Sequence, residues 1–337
     1  MQTCSLGSDG LVVSALGLGC MGMSHVYGPT DESESIATIH AALDMGINLL
    51  DTGDFYGTGH NELLLREALG RGRRASAVLS VKFGVLRDPA GGMLGIDCRP
   101  AAVKSSLAYS LRRLGTDYID VYRPARLDPA VPIEDTIGAI ADMVKAGYVR
   151  HIGLSEVGVE TIRRAHTVHP ITDLQIEYSL FSRGIEGAIL PTCRELGIGI
   201  TAYGVLSRGL LSGRWSKDQS LMAHDFRSSA PRFIGDNLDR NLALVEALRV
   251  IADEKNATVA QIAVAWVVSR GADIVPLIGT HRAERLTEAL GALNLHLTPN
   301  DLARIEEAVP AESVAGERYN THGMRALDSE RGRPSTS

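Results

Sequence analysis

The sequence predicts an α/β fold, a (β/α)8 TIM barrel with an N-terminal β-hairpin and extra helices. Three observations carry that prediction. Eight short apolar runs recur along the 337 residues, and they are continuous rather than alternating, as strands buried on both faces of a parallel sheet must be. Many are followed by a stretch of 3.6-residue apolar periodicity, so the repeating unit is a strand and a crossover helix. Eight right-handed crossovers of that kind close most simply into a barrel.

In order, the runs are LGLGC at 16, INLLDT at 47, AVLSVKF at 77, YIDVYR at 118, HIGLSE at 151, DLQIEY at 173, GITAY at 199 and DIVPLIG at 273. The helical stretches include ESIATIHAALDMG, AAVKSSLAYSLRRLG, EDTIGAIADMVKAG and AERLTEALGAL, several closed by a glycine suited to a helix stop. Ahead of the first run, CSLGSDGLVVSALGLG sets a Gly-Ser-Asp-Gly turn between two apolar pieces, the pattern of a hairpin capping one end of the barrel. A doubly wound open sheet is the competing fold, and it calls for GxGxxG between its first strand and first helix. GLGCMG at 17–22 has the glycines but no helix start at the right place. Roughly 70 residues separate the seventh and eighth runs, with a polar loop and then the helical LDRNLALVEALRVIADEKN and TVAQIAVAWVVSRG. Connections that long are uncommon unless functional. Residues 1–325 are expected to form one domain, and 326–337, ending SERGRPSTS, a frayed polar tail.

With 45% hydrophobic and 22% charged residues the chain has material for a core of this size. A net charge of −6 and the lack of a contiguous basic run argue against nucleic acid or an anionic membrane as partner. Cys4, Cys20, Cys98 and Cys193 are scattered, without the spacing of a zinc site or a disulfide framework. His166 and His169, with His151 nearby in sequence, lack the further ligands that a metal needs, so no metal is expected. No leader pattern and no apolar run of about 18 residues stands out, and the expected location is cytoplasmic. Oligomeric state is not legible.

In such a barrel reactive groups sit at the C-terminal ends of the strands. LLDTGDFYG offers Asp51 and, in the loop beyond, Tyr56; SVKFG offers Lys82. A tyrosine with an ordinary pKa of about 10 is a weak acid at neutral pH. A nearby ammonium stabilises its phenolate, and a carboxylate keeps that ammonium charged and oriented. Asp51, Tyr56 and Lys82 can form such a relay; equally, Asp51 and Lys82 can be a plain buried ion pair, with Tyr56 anchoring its loop.

Taken together, NLLDTGDFYG with HNELLLREAL, SVKFG, DYIDVYR with RLDP, HIGLSEVGVETIRRAH, LQIEYSL and AYGVLSRGLLSG resemble the aldo-keto reductase superfamily, in order and over nearly the whole chain. The resemblance implies an NADPH-dependent oxidoreductase acting on small-molecule aldehydes or ketones, with Tyr56 as proton donor assisted by Lys82 and Asp51. It assigns Ser155, Glu156 and Gln175 to the nicotinamide carboxamide, Tyr203 to stacking on the ring, and Gly204, Val205, Leu206, Ser207 and Gly209 to a loop over the pyrophosphate. Arg227 resembles a basic cofactor contact, and Met21 is a candidate wall of the pocket. Glu156 departs from the commoner Asn. In LIGTHRAERLTEAL, which resembles the adenosine-phosphate site, Gly279 and Thr280 precede a helix whose N-terminal amides favour phosphate. His281, Arg282, Arg285 and Glu288 follow; the two arginines favour NADP(H) through its 2′-phosphate, with NAD(H) left open. Trp215 and Phe226 are candidates for the substrate pocket or for packing anchors.

The superfamily usually carries a catalytic histidine at the end of the fourth strand, in a motif like QHRVDP. Aligned on RLDP, that place holds Ala125. Losing one donor to a developing oxyanion costs about 10² to 10³ in rate. Strand alternation turns Arg123 to the same side as Ala125. Arg123 is therefore a candidate catalytic residue in the vacated space, with Asp51 its expected partner, or else a structural ion-pair member. Arg126 is expected to face the other way, towards Asp128 or a helix. The alternative to a working reductase is an NADP(H)-binding redox sensor or auxiliary subunit with slow catalysis.

Overall fold

A computed structural model describes residues 1–70, 72–219, 221–222 and 225–331. Its strands are β1 (Thr3–Leu6), β2 (Leu11–Ser14), β3 (Gly17–Gly19), β4 (Leu49–Gly53), β5 (Val78–Phe83), β6 (Val85–Arg87), β7 (Met93–Ile96), β8 (Ile119–Pro124), β9 (Val149–Ser155), β10 (Asp173–Glu177), β11 (Gly199–Tyr203) and β12 (Ile274–Gly279). The eight strands that coincide with the apolar runs close a parallel barrel in the order β10-β11-β12-β3-β4-β5-β8-β9. The helices are α1 (Glu32–Asp44), α2 (His60–Leu69), α3 (Pro100–Leu114), α4 (Ile133–Lys145), α5 (Val159–Val168), α6 (Ile189–Glu195), α7 (Asp236–Glu254), α8 (Val259–Ser269), α9 (Ala283–Gly291), α10 (Pro299–Ala308) and α11 (Thr321–Arg325). The predicted barrel is the observed one.

The barrel forms because its strands can bury both faces. Every residue of β4 and of β10 is buried, and Leu50, Leu79, Ile152, Leu174 and Ile200 join one continuous core with the inner faces of the helices. Fully burying each such side chain contributes about 1.5–3 kcal/mol. The β1–β2 hairpin is antiparallel, as expected, and closes the N-terminal end. Its Leu6 and Val13 form a second cluster with Leu49, Val275 and Leu277. Gly199 makes that plug possible, since a Cβ there would stand 2.6 Å from Leu6 Cδ1.

The long insertion contains α7 and α8, as the periodicity predicted. A capping box between Thr258 and Gln261 starts α8, and its Trp266 is among the largest fully buried side chains. The β6–β7 hairpin was not anticipated. It follows β5 directly and is mostly exposed, so no apolar run announces it.

The C-terminal segment departs from the expected frayed tail. After α10 the chain returns across the C-terminal end of the barrel, burying Arg318, Leu327, Asp328 and Ser329. The Asp328 carboxylate accepts from Gly158 N (2.9 Å) and Thr161 Oγ1 (2.7 Å), serving the otherwise uncapped start of α5. Polar composition misled because these polar groups have partners fixed elsewhere in the fold. Residues 332–337 lie outside the described residues. No described helix is long and apolar enough to cross a membrane.

Removing the Asp328 carboxylate should therefore cost more than a tail substitution would. Asp328→Ala is expected to lower unfolding stability by about 1–2 kcal/mol, the usual cost of a lost helix cap. Urea denaturation checks this, and a change within a few tenths would show the contact to be idle.

Candidate active site

A column of polar side chains runs through the barrel interior. Asp51 on β4, Lys82 on β5 and Gln175 on β10 are all within a few per cent of complete burial. Lys82 Nζ donates to Asp51 Oδ1 (2.5 Å) and to Gln175 Oε1 (2.9 Å), while Gln175 Nε2 and Ser80 Oγ donate to Asp51 Oδ2 (2.6 and 2.9 Å). Burial pushes the Lys82 ammonium below its usual pKa, and the Asp51 charge opposes that shift.

Tyr56 is buried above this pair, with Lys82 Nζ 5.2 Å from its ring centroid. Burial, then the Asp51 charge, raises its pKa well above the ordinary value, so the phenol carries its proton at neutral pH. Asn61 holds the surrounding loop. It accepts from Thr52 Oγ1 (2.6 Å) and donates to Cys20 O and Ser24 Oγ (both 2.8 Å). Sequence reasoning missed Asn61, since no local pattern marks a residue that joins β4, α2 and the turn after β3. Met21 is half-buried in that turn.

Arg123 does not occupy the space beside Ala125. Its side chain faces the barrel interior, as alternation requires, but runs along the column away from the mouth. Nη1 donates to Asp173 Oδ2 (2.9 Å) and Nη2 to Ser80 Oγ (2.9 Å). Its partner is thus Asp173 rather than Asp51. The path is open because β9 has a glycine there: a Cβ on Gly153 would meet Asp173 Oδ1 at 2.6 Å and Arg123 Cζ at 3.0 Å. Arg126 also differs from expectation. Asp128 is taken by the amides of Cys98 and Ala130, and Arg126 acts electrically on Tyr56, Tyr203, Tyr319 and Glu156.

At the ends of β9 to β11, Ser155 and Gln175 stand beside the Lys82 pair, and Ser155 Oγ is buried without a partner among the described residues. Glu156 is differently placed. Its carboxylate forms a bidentate pair with Arg318 (2.7 and 2.6 Å) and accepts from Tyr203 Oη, Ser329 Oγ and Glu177 N. Although burial works against it, Arg318 holds this carboxyl well below the usual range. Glu156 is therefore a brace with no free oxygen to offer a carboxamide, and Arg318 was invisible to sequence reasoning because its partner is so distant in sequence. The Tyr203 hydroxyl is committed to Glu156, which fixes the ring.

The loop of Gly204, Val205, Leu206, Ser207 and Gly209 follows β11, with left-handed backbone at Ser207 and Arg208. Arg227 is engaged with Asp225 (2.6 Å) and lies over the rings of Tyr27 and Trp215, both at 4.9 Å. Trp215 packs edge-on against Phe233, and Phe226 against Tyr319. Across the barrel, Gly279 ends β12 with open space where a Cβ would be. Thr280 and His281 lead into α9, whose N-cap residue Arg282 leaves the first amides without a side-chain cap. Arg282 and His281 make only long contacts to Glu34 (3.7 and 3.8 Å). Arg285 is 3.6 Å from Glu288, which Arg214 of the β11 loop grips more closely at 2.9 Å. A helix start without a side-chain cap, a hydroxyl unsatisfied among the described residues and a buried ion pair beside a phenol are thus assembled in the barrel.

These features define a barrel oxidoreductase, and comparison with known proteins gives its family. Residues 15–310 match the model of the Aldo/keto reductase family, and the chain belongs to that family. It is 43% identical over 325 residues to probable aldo-keto reductase 1 of Glycine max, covering 95% of this chain and 92% of the relative. Among solved structures it resembles the glycerol dehydrogenase AKR11B4 of Gluconobacter oxydans (TM-score 0.83, 27% identity, 97% of this chain and 96% of that one). It also resembles the holo form of aldo-keto reductase AKR11C1 of Bacillus halodurans (TM-score 0.77, 28% identity, 96% and 99%). The protein is an NAD(P)H-dependent oxidoreductase of carbonyl compounds.

Near Tyr122 lies a buried carboxyl pair with a measurable consequence. Asp54 Oδ1 and Glu62 Oε1 are both buried without a partner among the described residues. Burial, then the Glu62 charge, pushes Asp54 up to about 7, with Arg113 opposing. Between the unfolded value of about 4 and the folded one, the native state holds a proton that the unfolded state has released, so stability falls as pH rises through that window. Asp54→Asn is expected to be more stable than wild type at pH 8, by up to about 4 kcal/mol in urea denaturation, with the gap closing towards about pH 4. Parallel pH profiles of the two proteins would refute the pairing.

Proposed function

We infer that this chain reduces aldehydes or ketones with NADPH, and that Tyr56 donates the proton. The observation that carries this reading is the protonated phenol over the buried Asp51–Lys82–Gln175 cluster. The bound nicotinamide supplies the hydride. The chain's own residues handle the proton and the positions. Tyr56 Oη releases its proton to the carbonyl oxygen as that atom gains charge. The phenolate left behind is stabilised by Lys82, which Asp51 keeps charged and Gln175 keeps aimed.

Ser155 Oγ fits a carboxamide partner, being enclosed and unsatisfied among the described residues. Gly279, Thr280 and the uncapped start of α9 fit a phosphate. Arg282 and Arg285 hold their nearby carboxylates only at long range, which leaves charge for a 2′-phosphate and favours NADP(H) over NAD(H). A cytoplasmic setting suits that cofactor and a small-molecule substrate.

Ala125 favours a second reading, an NADP(H)-binding sensor or auxiliary subunit with slow turnover, because alanine provides no donor to the carbonyl. The complete proton relay favours the enzyme, since a binding module has no use for it. Stopped-flow oxidation of bound NADPH by a panel of aldehydes, ketones and quinones separates the two. Tyr56→Phe is expected to slow oxidation about 10² to 10⁴-fold; equal rates, or no turnover by wild type, would rule out the reductase. Since Arg123 leaves the place beside Ala125, Ala125→His is expected to speed reduction of a neutral aldehyde about tenfold, part of what one oxyanion donor is worth.

A further inference from the structure

Among the described residues, five arginines stand at the mouth of the barrel, and four of them hold carboxylates of this chain within ion-pair distance. Arg208 and Arg232 share Glu177 (3.1 and 3.4 Å), Arg227 holds Asp225 (2.6 Å) and Arg318 holds Glu156 (2.6 Å). Arg126 is the exception. Its hydrogen bond within the described residues runs from Nη1 to the carbonyl oxygen of adjacent Ala125 (2.6 Å), and no described carboxylate lies within ion-pair distance. It is half-buried, and its charge falls on Tyr56, Tyr203, Tyr319 and, beyond ion-pair distance, on a Glu156 carboxylate that Arg318 already grips. An unpaired guanidinium drawn out of water is costly unless an anion meets it.

The missing anion is not a phosphate of the cofactor's adenosine end. Strands β8 and β12 lie four apart in either direction around the barrel, so Arg126 and the α9 cradle face each other from opposite walls. What remains within reach of Arg126 is the space next to Tyr56, where Ala125 contributes only a methyl group. Tyr27, Phe226 and Tyr319 supply aromatic walls at that end, Phe226 and Tyr319 with ring centroids 5.9 Å apart. A planar fork of N–H donors matches a carboxylate bidentately.

We propose that Arg126 anchors a carboxylate on the substrate, making the substrate class of this site a small aldehyde or ketone that carries a carboxylate near its reacting carbonyl. The inference rests on the reductase reading given above. Arg126 is a specificity-determining residue: it fixes where the carbonyl sits relative to Tyr56.

The test compares 4-carboxybenzaldehyde with its neutral methyl ester, methyl 4-formylbenzoate, at saturating NADPH. Wild type is expected to favour the carboxylate at least about tenfold in kcat/KM, Arg126→Gln to lose that preference through KM, and Arg126→Lys to keep part of it. Calorimetric titration of benzoate into the NADP⁺-loaded protein should show a matching loss of affinity in Arg126→Gln. Equal kcat/KM for the two aldehydes in wild type overturns the proposal, as does a preference that survives Arg126→Gln. It also fails if that variant loses NADPH affinity in place of benzoate affinity. Turnover of neither aldehyde, with benzoate binding that still depends on Arg126, rejects the reductase reading and leaves the carboxylate site standing.

Discussion

Four buried charges that cancel one another hold this barrel's reactive groups in place. Asp51 with Lys82 and Asp173 with Arg123 form two ion pairs, and Ser80 links them by donating to Asp51 and accepting from Arg123. Removing one member would leave an uncompensated charge in the core, which typically costs 3–5 kcal/mol, whereas the intact set approximately balances its own desolvation. Its value is therefore positional. Lys82 cannot swing towards solvent without abandoning Asp51, and Asp51 has both oxygens occupied. Tyr56 meets an ammonium whose place is set by strands β4, β5 and β10.

The same constraint explains which parts of the site were legible in the sequence. Strands and helices were readable because burial on two faces or one stripe leaves a periodic trace, and Asp51, Tyr56 and Lys82 were readable because strand ends are where such a barrel exposes chemistry. Alternation correctly sent Arg123 inward. It could not say how far along the axis a long side chain would travel, and that depended on Gly153 and Asp173 from two other strands. Arg126 lay past the strand end, where alternation no longer applies. The partners Arg318 and Asp328 sit far along the chain from the residues they serve, and nothing local to either end records the pairing.

Glu156 illustrates how one departure from a family pattern draws in others. A carboxylate at the end of β9, where a neutral amide is commoner, needs a counter-charge in a site closed to water. Arg318 supplies it, and Arg318 must itself be enclosed, which the return of the chain through Ser329 and Glu330 achieves. The C-terminal segment is thereby part of the mouth. Tyr203 is fixed by the same carboxylate, so the ring expected to lie against a nicotinamide is oriented by residues more than a hundred positions downstream.

Ala125 and Arg126 belong to the same argument. A neutral donor at position 125 would stabilise a developing alkoxide locally and treat charged and uncharged substrates nearly alike. Without it, the positive charge available to the carbonyl end comes from Lys82 below and Arg126 beside, and only the second is free of a carboxylate partner among the described residues. A substrate that brings its own carboxylate satisfies Arg126 and is held against Tyr56 by the contact. One that does not must leave the guanidinium half-buried and unpaired, and loses the orientation that such a contact supplies. The missing histidine and the unpaired arginine are then two sides of a single choice, in which general reactivity towards carbonyls is exchanged for selectivity among them.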